Sequence, residues 1–248
     1  MSAERGASGI EPLPLDKAPT RIASMFDAIA GRYDLLNLVL SGGLDRRWRR
    51  LAIESLALTG KERVLDVCTG TADVSIGAAR AVPGSARVVG VDFAGAMLSK
   101  GQEKVRALGL PGRVQLVRGD AMQLPVASAT VDAVTIAFGI RNVQGTAAAL
   151  AELHRVLRPG GRLAILEFGL PSAPGLRQLY QWYFLQVLPR IGRMVSKHGA
   201  AYSYLPQSVG AFPWGSDFSA LLTAAGFEQA AYRPLTLGVV YLYTARKG

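Results

Sequence analysis

From Arg63 onward, short apolar runs alternate with alanine-rich segments of helical periodicity. Such alternation is typical of a parallel, doubly wound sheet, because each helix returns the chain to the same edge of the sheet. The predicted strands lie at 64–67, 88–92, 114–117, 131–137 and 163–167, with helices at 74–81, 96–108 and 146–157. Two last strands, at 227–235 and 238–245, are separated by a short turn and predict an antiparallel pair. We therefore predict an α/β fold with a mostly parallel seven-stranded sheet, helices on both faces and an antiparallel edge strand.

The domain organisation follows from length and local pattern. At 248 residues, half of them hydrophobic, the chain can bury one sizeable core. Residues 1–19 mix glycine, serine, proline and charge and are predicted to be a flexible tail, which leaves a single domain at 20–248. Within it, apolar residues at three- and four-residue spacing predict a helical cap at 20–60, with Thr20 as the first N-cap. Residues 170–215 are predicted to form an aromatic insertion that caps the substrate, the alternative being an ordinary cap helix over the sheet.

The net charge of +10 is compatible with nucleic acid, an anionic membrane or simple solubility. Arginines at 46–50 are interleaved with core residues, so we expect no nucleic-acid partner. Between Phe168 and Ser216 there is no acidic residue, while basic residues lie among apolar ones. This pattern favours peripheral contact with an anionic membrane. A single cysteine and two histidines predict no metal site and suit the cytoplasm.

Polar residues follow the first two predicted strands, where an open α/β sheet binds ligands. Gly70 allows a tight turn and close approach of the backbone to a ligand, and Thr71 offers a hydroxyl and an amide near the start of the next helix. Asp92 ends the second strand, where a carboxylate can accept both hydroxyls of a ribose. The segment is therefore predicted to bind one adenosine.

Two cofactor classes fit an adenosine site, and the nearby acids separate them. A dinucleotide would place its pyrophosphate at the helix N-terminus, where Asp73 would repel it. S-adenosylmethionine has no phosphate, and its ammonium and sulfonium charges are compatible with Asp66 and Asp73. The G-x-G-x-x-G spacing of a nicotinamide site is also absent. Asp120 and Ala121, after the third strand, are candidates for the adenine edge; the alternatives are N-capping for Asp73 and an ordinary turn at 119–121.

Residues 64–73, with Asp92 and 120–121 downstream, resemble the cofactor site of class I methyltransferases. Further blocks are similar to the ubiquinone/menaquinone biosynthesis C-methyltransferases, and the resemblance covers about residues 20–246. These blocks lie at 25–27, 32–34 with Asn37, 138–142, 157–161, 202–205, 208–209 and 212–213. Two positions depart from the pattern: Ala72 stands where many class I enzymes have glycine, and Ala137 where some relatives have serine.

The resemblance implies a Rossmann-like class I fold, S-adenosyl-L-methionine as cofactor and methylation of a ring carbon in a prenylated hydroquinone. The amino-acid sequence of residues 68–73 is more similar to that of menaquinone-specific members, which implies demethylmenaquinol as substrate. The alternatives are a methoxy-benzoquinol of ubiquinone biosynthesis, or another small lipid or phenol. The oligomeric state is left open, with a homodimer as one alternative.

The resemblance also suggests site residues. Methylating a ring carbon requires a phenolate, and Arg141 is the candidate that stabilises it, with Asn142 orienting the same oxygen or a water. The alternative for Arg141 is a structural salt bridge. Tyr33 is a catalytic candidate in the N-terminal cap, although a tyrosine at helical spacing is usually a core residue.

The remaining candidates are substrate residues. Asp27 and Asn37 are expected to close over the substrate from the N-terminal cap. Tyr202 and Tyr204 are expected to line the mouth of the substrate site, the alternative being that their hydroxyls bind backbone groups.

Overall fold

A computed structural model shows a seven-stranded sheet in the order β3-β2-β1-β4-β5-β7-β6. It describes residues 16–82, 87–171, 173–183, 186 and 200–248; some side chains within these ranges, including those of 200–203, are not described. The strands are β1 (Arg63–Val67), β2 (Arg87–Asp92), β3 (Val114–Arg118), β4 (Val131–Ala137), β5 (Leu157–Phe168), β6 (Phe227–Leu235) and β7 (Val240–Lys247). The first five strands are parallel, and β7 pairs antiparallel with β5 and β6. The predicted fold class is confirmed.

Helices cover both faces of this sheet. In the described residues they are α1 (Pro19–Ile29), α2 (Tyr33–Ser41), α3 (Leu44–Ser55), α4 (Asp73–Ala81), α5 (Gly95–Ala107), α6 (Thr146–Val156), α7 (Pro174–Trp182), α8 (Ala200–Ala211) and α9 (Ser216–Ala224). Alternate strand residues enter separate cores, with Leu65 and Val134 packing on the α6 and α9 side and Val64 and Ala133 on the α3 and α4 side. None of the helices described is both long and apolar enough to span a membrane.

Two predicted boundaries were wrong for local reasons. The helix expected to start with Thr20 as its N-cap begins at Pro19, so Thr20 lies within its first turn. The strand expected at 163–167 begins at Leu157, because Leu157 already pairs with β4 before the chain turns. The turn passes through Gly160, at a φ of 75°, and the pairing with β4 resumes at Arg162. A glycine tolerates this left-handed conformation without steric cost.

Strand β6 forms one edge of the sheet and is irregular. Its register with β7 shifts between Glu228 and Ala231, where Gln229 has a φ of 52°. Pro234, near the end of the strand, has no N–H group to donate. The edge therefore carries a bulge and a proline in nine residues.

The carboxyl ends of β1, β2 and β4 lie level with one another. Val67 pairs with Val91 on one side and with Ile136 on the other. The residues that follow these strands therefore meet at one edge of the sheet, below the helical cap formed by α1, α2 and α3. This edge contains the candidate site.

Candidate active site

The loop from β1 to α4 turns through three left-handed residues. Cys68, Gly70 and Ala72 have φ values of 56°, 55° and 66°. Ala72 thus adopts the conformation that a third glycine would take at this position, and it does so fully buried. The turns bring the Gly70 N–H towards Asp92.

Asp92 holds the two loops that follow β1 and β2. Its Oδ2 accepts a hydrogen bond from Gly70 N at 2.8 Å, and its Oδ1 accepts one from Ala94 N at 2.9 Å. Burial raises the pKa of Asp92, and these backbone donors oppose that shift. Each carboxylate oxygen retains a lone pair, so the predicted contact with ribose hydroxyls fits this geometry.

Two cavities flank this loop and share Tyr33, Cys68, Gly70 and Ala137. The Asp92 lobe, of about 410 Å³, is lined by Phe26, Tyr33, Cys68, Gly70, Asp92, Phe93, Met97, Ala137, Phe138, Gly139, Asn142 and Val143. The Asp73 lobe, of about 310 Å³, is lined by Tyr33, Arg49, Asp66, Cys68, Thr69, Gly70, Thr71, Asp73, Val74 and Ala137. Seven of the predicted cofactor and catalytic positions therefore line two adjoining cavities.

Asp66 is buried under the Asp73 lobe. Its Oδ2 accepts hydrogen bonds from the hydroxyls of Thr69, at 2.6 Å, and Ser75, at 2.7 Å. Burial raises the pKa of Asp66 to about 6, although both hydroxyls favour the charged form. Asp66 therefore fixes the loop and places a titratable group beneath the cavity.

This pKa predicts a pH-dependent stability. Because the folded pKa lies above the unfolded value of 3.8, the contribution of Asp66 is most favourable at low pH and is lost as the pH rises through about 6. Asp66→Asn should therefore raise the free energy of unfolding relative to wild type, and this gain should be about 1 kcal/mol larger at pH 7.5 than at pH 5. Urea unfolding of both proteins at the two pH values measures this, and an equal difference at both would contradict it.

Asp73 and Thr71 belong to an ion cluster that joins the helical cap to the sheet. Asp73 pairs with Arg49 of α3 at 3.1 Å and also with Lys104 of α5. Lys104 pairs with Asp34 of α2 at 2.8 Å, and the Thr71 hydroxyl donates to Asp34 at 2.6 Å. The alternative of N-capping is wrong, because Ala72 is the N-cap of α4 and no side chain makes a capping hydrogen bond. The Asp73 carboxylate is paired with two cations instead.

A larger cavity of about 1010 Å³ lies beside the two lobes. This apolar cavity is lined by Met25, Phe26, Ile29, Tyr33, Leu36, Asn37, Leu40, Ser41, Asp45, Trp48, Arg49, Phe138, Arg141, Phe168, Tyr180, Tyr183, Tyr204, Leu205 and Val239. Four predicted residues, Tyr33, Asn37, Arg141 and Tyr204, are brought together here. Phe26, Tyr33 and Phe138 also line the Asp92 lobe, so the two cavities meet at these three rings.

Arg141 is held in a buried ion pair, whose partner no sequence pattern indicated. Its Nη1 lies 2.6 Å from Glu167 Oε1 and donates to the Phe138 carbonyl at 2.6 Å, while its Nε donates to Ser208 at 3.4 Å. Glu167 is fully buried at the end of β5. The structural salt bridge considered as an alternative is therefore present, and among the described residues no partner contacts Nη2. Arg141 is both anchored and able to offer one guanidinium edge to a ligand.

Tyr33 lines all three cavities, and Asn142 lines the Asp92 lobe. Burial raises the pKa of the Tyr33 phenol, and Arg49 and a hydrogen bond with Asn37 oppose that shift. The phenol therefore stays protonated at neutral pH and is a poor base. Asn142 donates to the Phe138 carbonyl at 3.3 Å, and its Oδ1 is buried without a partner among the described residues. Because Asn142 lines the Asp92 lobe, a ligand bound there could supply the donor that this acceptor lacks.

Lys17, in the segment predicted to be tail, is a further residue that the sequence did not indicate. It is half-buried, and burial lowers the pKa of its ammonium, while the Glu167 carboxylate raises it and Arg141 lowers it. Lys17 thus lies within electrostatic reach of the Arg141–Glu167 pair. The flanking Asp16 fixes this segment by accepting from Ala18 N at 3.0 Å. Helix α1 itself begins at Pro19, so the described structure includes the last residues of the segment predicted to be tail.

Other predicted site residues lie elsewhere. Asp27 accepts a hydrogen bond from Ala96 N at 2.8 Å, because this position of α1 faces α5 while Phe26 faces the cavities. Asp120 accepts from Met122 N at 2.8 Å, and neither it nor the buried Ala121 lines the lobes. The expected substrate role of Asp27 and adenine role of 120–121 are thus not supported by direct cavity contacts. Tyr202 lies in α8, but its side chain is outside the described part.

Gly139 is required for the close approach of two loops. A Cβ added to it would lie 2.3 Å from Cys68 Cβ and 2.9 Å from Cys68 Sγ. We expect Gly139→Ala to destabilise the fold by about 1–3 kcal/mol and to weaken S-adenosylhomocysteine binding about tenfold or more, because both loops line the Asp92 lobe. Thermal unfolding and calorimetry measure the two effects. Gly31→Ala is the matched control, because a Cβ added there would meet no other atom within 4 Å. Equal stability and affinity of the two variants would refute the clash.

Solved structures with this fold are numerous, and their activities differ. The [4+2]-cyclase SpnF superposes with a TM-score of 0.69 at 19% identity, over 95% of this chain and 98% of that one. A putative S-adenosyl-L-methionine-dependent methyltransferase from Methanococcus maripaludis gives 0.59 at 18% identity, over 100% and 97%. These likenesses show the fold alone.

The class I fold and the paired lobes, taken with a family model that covers most of the chain, identify a methyltransferase that uses S-adenosyl-L-methionine. The chain belongs to the ubiE/COQ5 methyltransferase family, whose model matches residues 15–247. It is 50% identical over 220 residues to the ubiquinone/menaquinone biosynthesis C-methyltransferase UbiE of Syntrophotalea carbinolica, covering 89% of this chain and 91% of that protein. It is 40% identical over 239 residues to a demethylmenaquinone methyltransferase of Bacteroides fragilis, covering 96% and 97%. The family assigned from the sequence is confirmed.

Proposed function

We propose that this protein methylates a ring carbon of a prenylated hydroquinone and that its substrate is demethylmenaquinol. The observation that carries this proposal is the apolar cavity, which meets the Asp92 lobe at three shared aromatic rings and is lined by the anchored Arg141. The names of the relatives from Syntrophotalea carbinolica and Bacteroides fragilis support quinone chemistry. A benzoquinol of ubiquinone biosynthesis is the second candidate, because the UbiE name covers both rings.

The residues present fit the cofactor. Asp92 keeps free acceptor lone pairs, and the buried Asn142 Oδ1 in the same lobe is without a donor in the described residues. When bound, S-adenosyl-L-methionine supplies an electrophilic methyl group on its sulfonium. The acids Asp66 and Asp73 are the groups of the neighbouring lobe that would favour its positive charges.

Methyl transfer requires an electron-rich ring, and Arg141 can supply the stabilising charge. Its guanidinium lowers the free energy of a ring phenolate, whose negative charge makes the adjacent carbon nucleophilic. Methylation of that carbon by the bound cofactor would release S-adenosylhomocysteine, and loss of the ring proton to an acceptor would then restore aromaticity. Glu167 fixes the orientation of Arg141, and the protonated Tyr33 can hydrogen-bond to a ring oxygen.

A prenyl tail explains the apolar character of the cavity and of the surface beside it. Exposed apolar side chains occur on α2, at Leu35 and Val39, and on α7, at Leu179 and Trp182. Arg46, Arg47 and Arg50 are exposed on neighbouring α3. We infer that this surface lies against an anionic membrane from which the substrate enters. Sedimentation with anionic and neutral vesicles at low salt tests this inference, and equal absence from both pellets would contradict it.

The experiment that tests the function is methyl transfer from labelled S-adenosyl-L-methionine to chemically reduced quinones. Demethylmenaquinol and a prenylated methoxy-benzoquinol are compared as substrates at matched tail length. A higher kcat/KM for demethylmenaquinol supports the proposal, and a preference for the benzoquinol moves the assignment to the second candidate. Tight cofactor binding with no product on either ring would refute both candidates.

A further inference from the structure

The bound cofactor would bring a negative charge that the predicted site residues do not match. The methionine end of S-adenosyl-L-methionine carries an α-carboxylate in addition to its ammonium and sulfonium. Asp66 and Asp73 suit the two cations but would repel the carboxylate. Among the described residues that line the Asp92 and Asp73 lobes, Arg49 is the one cationic side chain.

Arg49 is positioned for such a contact before any ligand arrives. It lies on α3, where its side chain is only 11% exposed, and Asp45, one turn earlier, pairs with it at 2.5 Å. Asp45 is itself fixed by a hydrogen bond from the Ser41 hydroxyl at 2.9 Å. Arg49, held in this way, lines both the Asp73 lobe and the apolar cavity.

Asp73 lines the same lobe and is in contact with Arg49, because its carboxylate lies 3.1 Å from Arg49 Nη1. An adjacent cation and anion match the two charges of an amino-acid group, whose carboxylate and ammonium are separated by one carbon. Resting on the cofactor assignment, we propose that Arg49 binds the α-carboxylate of S-adenosyl-L-methionine while Asp73 faces its ammonium. Lys104 also pairs with Asp73, but it lines neither lobe, whereas Arg49 lines the Asp73 lobe.

Decarboxylated S-adenosylmethionine measures what the carboxylate contributes to binding, because it lacks that group and keeps the sulfonium and an ammonium. Arg49→Gln is expected to weaken binding of S-adenosyl-L-methionine about 10- to 100-fold, the range for loss of a charge-assisted, bidentate contact. Binding of the decarboxylated analogue should stay within about threefold or become tighter, because Asp73 loses a competing cation. Titration calorimetry measures both dissociation constants without any quinol, so the result is independent of the ring that is methylated.

Two variants keep the test interpretable. Arg50→Gln removes the same charge from an exposed position of α3 and should bind both ligands like wild type. Arg49→Lys keeps the charge and the ion pairs, and we expect a smaller loss for S-adenosyl-L-methionine than in Arg49→Gln. Equal losses for the two ligands in Arg49→Gln, or no loss for either, would overturn the proposal. A wild-type protein that binds both ligands equally would overturn it as well.

Discussion

Arg141→Gln is expected to lower kcat for methyl transfer about 100- to 1000-fold, the cost of removing one preorganised group that stabilises developing charge. It should also lower the free energy of unfolding by about 3–5 kcal/mol, because the buried Glu167 loses its counter-charge. Cofactor affinity should change little, since Arg141 lines the apolar cavity and not the cofactor lobes. Steady-state kinetics, urea unfolding and calorimetry measure the three quantities.

The double variant Arg141→Gln with Glu167→Gln separates the two roles of the arginine. Removing both charges leaves no buried ion uncompensated, so most of the lost stability should return. Methyl transfer should remain as slow as in the single variant if Arg141 contacts the phenolate. Recovery of activity together with stability would show that Arg141 only holds the fold.

Asp92→Ala is expected to weaken binding of S-adenosylhomocysteine about 100-fold or more. The carboxylate accepts from Gly70 N and Ala94 N, so its loss releases both loops as well as the predicted ribose contact. Charge-assisted hydrogen bonds of this kind contribute about 1.5–3 kcal/mol each. Asp92→Asn should also bind poorly, because its NH₂ group would have to face one of the two backbone donors.

Asp217→Asn is the matched control for Asp92, because it removes a carboxylate from an exposed position of α9. It should bind S-adenosylhomocysteine like wild type in calorimetry. If Asp92→Ala also retains wild-type affinity, the ribose assignment fails.

The sheet could be predicted from the sequence because its signals are local. Strand periodicity gave β4 with its observed bounds and β2 to within one residue. The residues after β1 and β2 could be placed together for the same reason, since parallel strands end at one edge. Gly70 and Asp92 accordingly lie 2.8 Å apart, joined by the N–H and the carboxylate.

The cap and its ion pairs could not be predicted in this way. Asp27 and Phe26 are neighbours in sequence but face different elements, and only the packing of α1 decides which one lines the cavity. Glu167 is an acid at the end of an apolar strand, and its partner lies 26 residues away. Arg49 was one of four basic residues on an amphipathic helix, and the distance to Asp73 sets it apart from the others.

The irregular strand β6 affects how this protein behaves among copies of itself. A sheet edge with unpaired N–H and C=O groups is a template on which another chain can add a strand. The displaced register at 228–231 and the missing N–H of Pro234 interrupt that template. A protein that exposes apolar side chains on α2 and α7 thereby has a sheet edge that resists growth into aggregates.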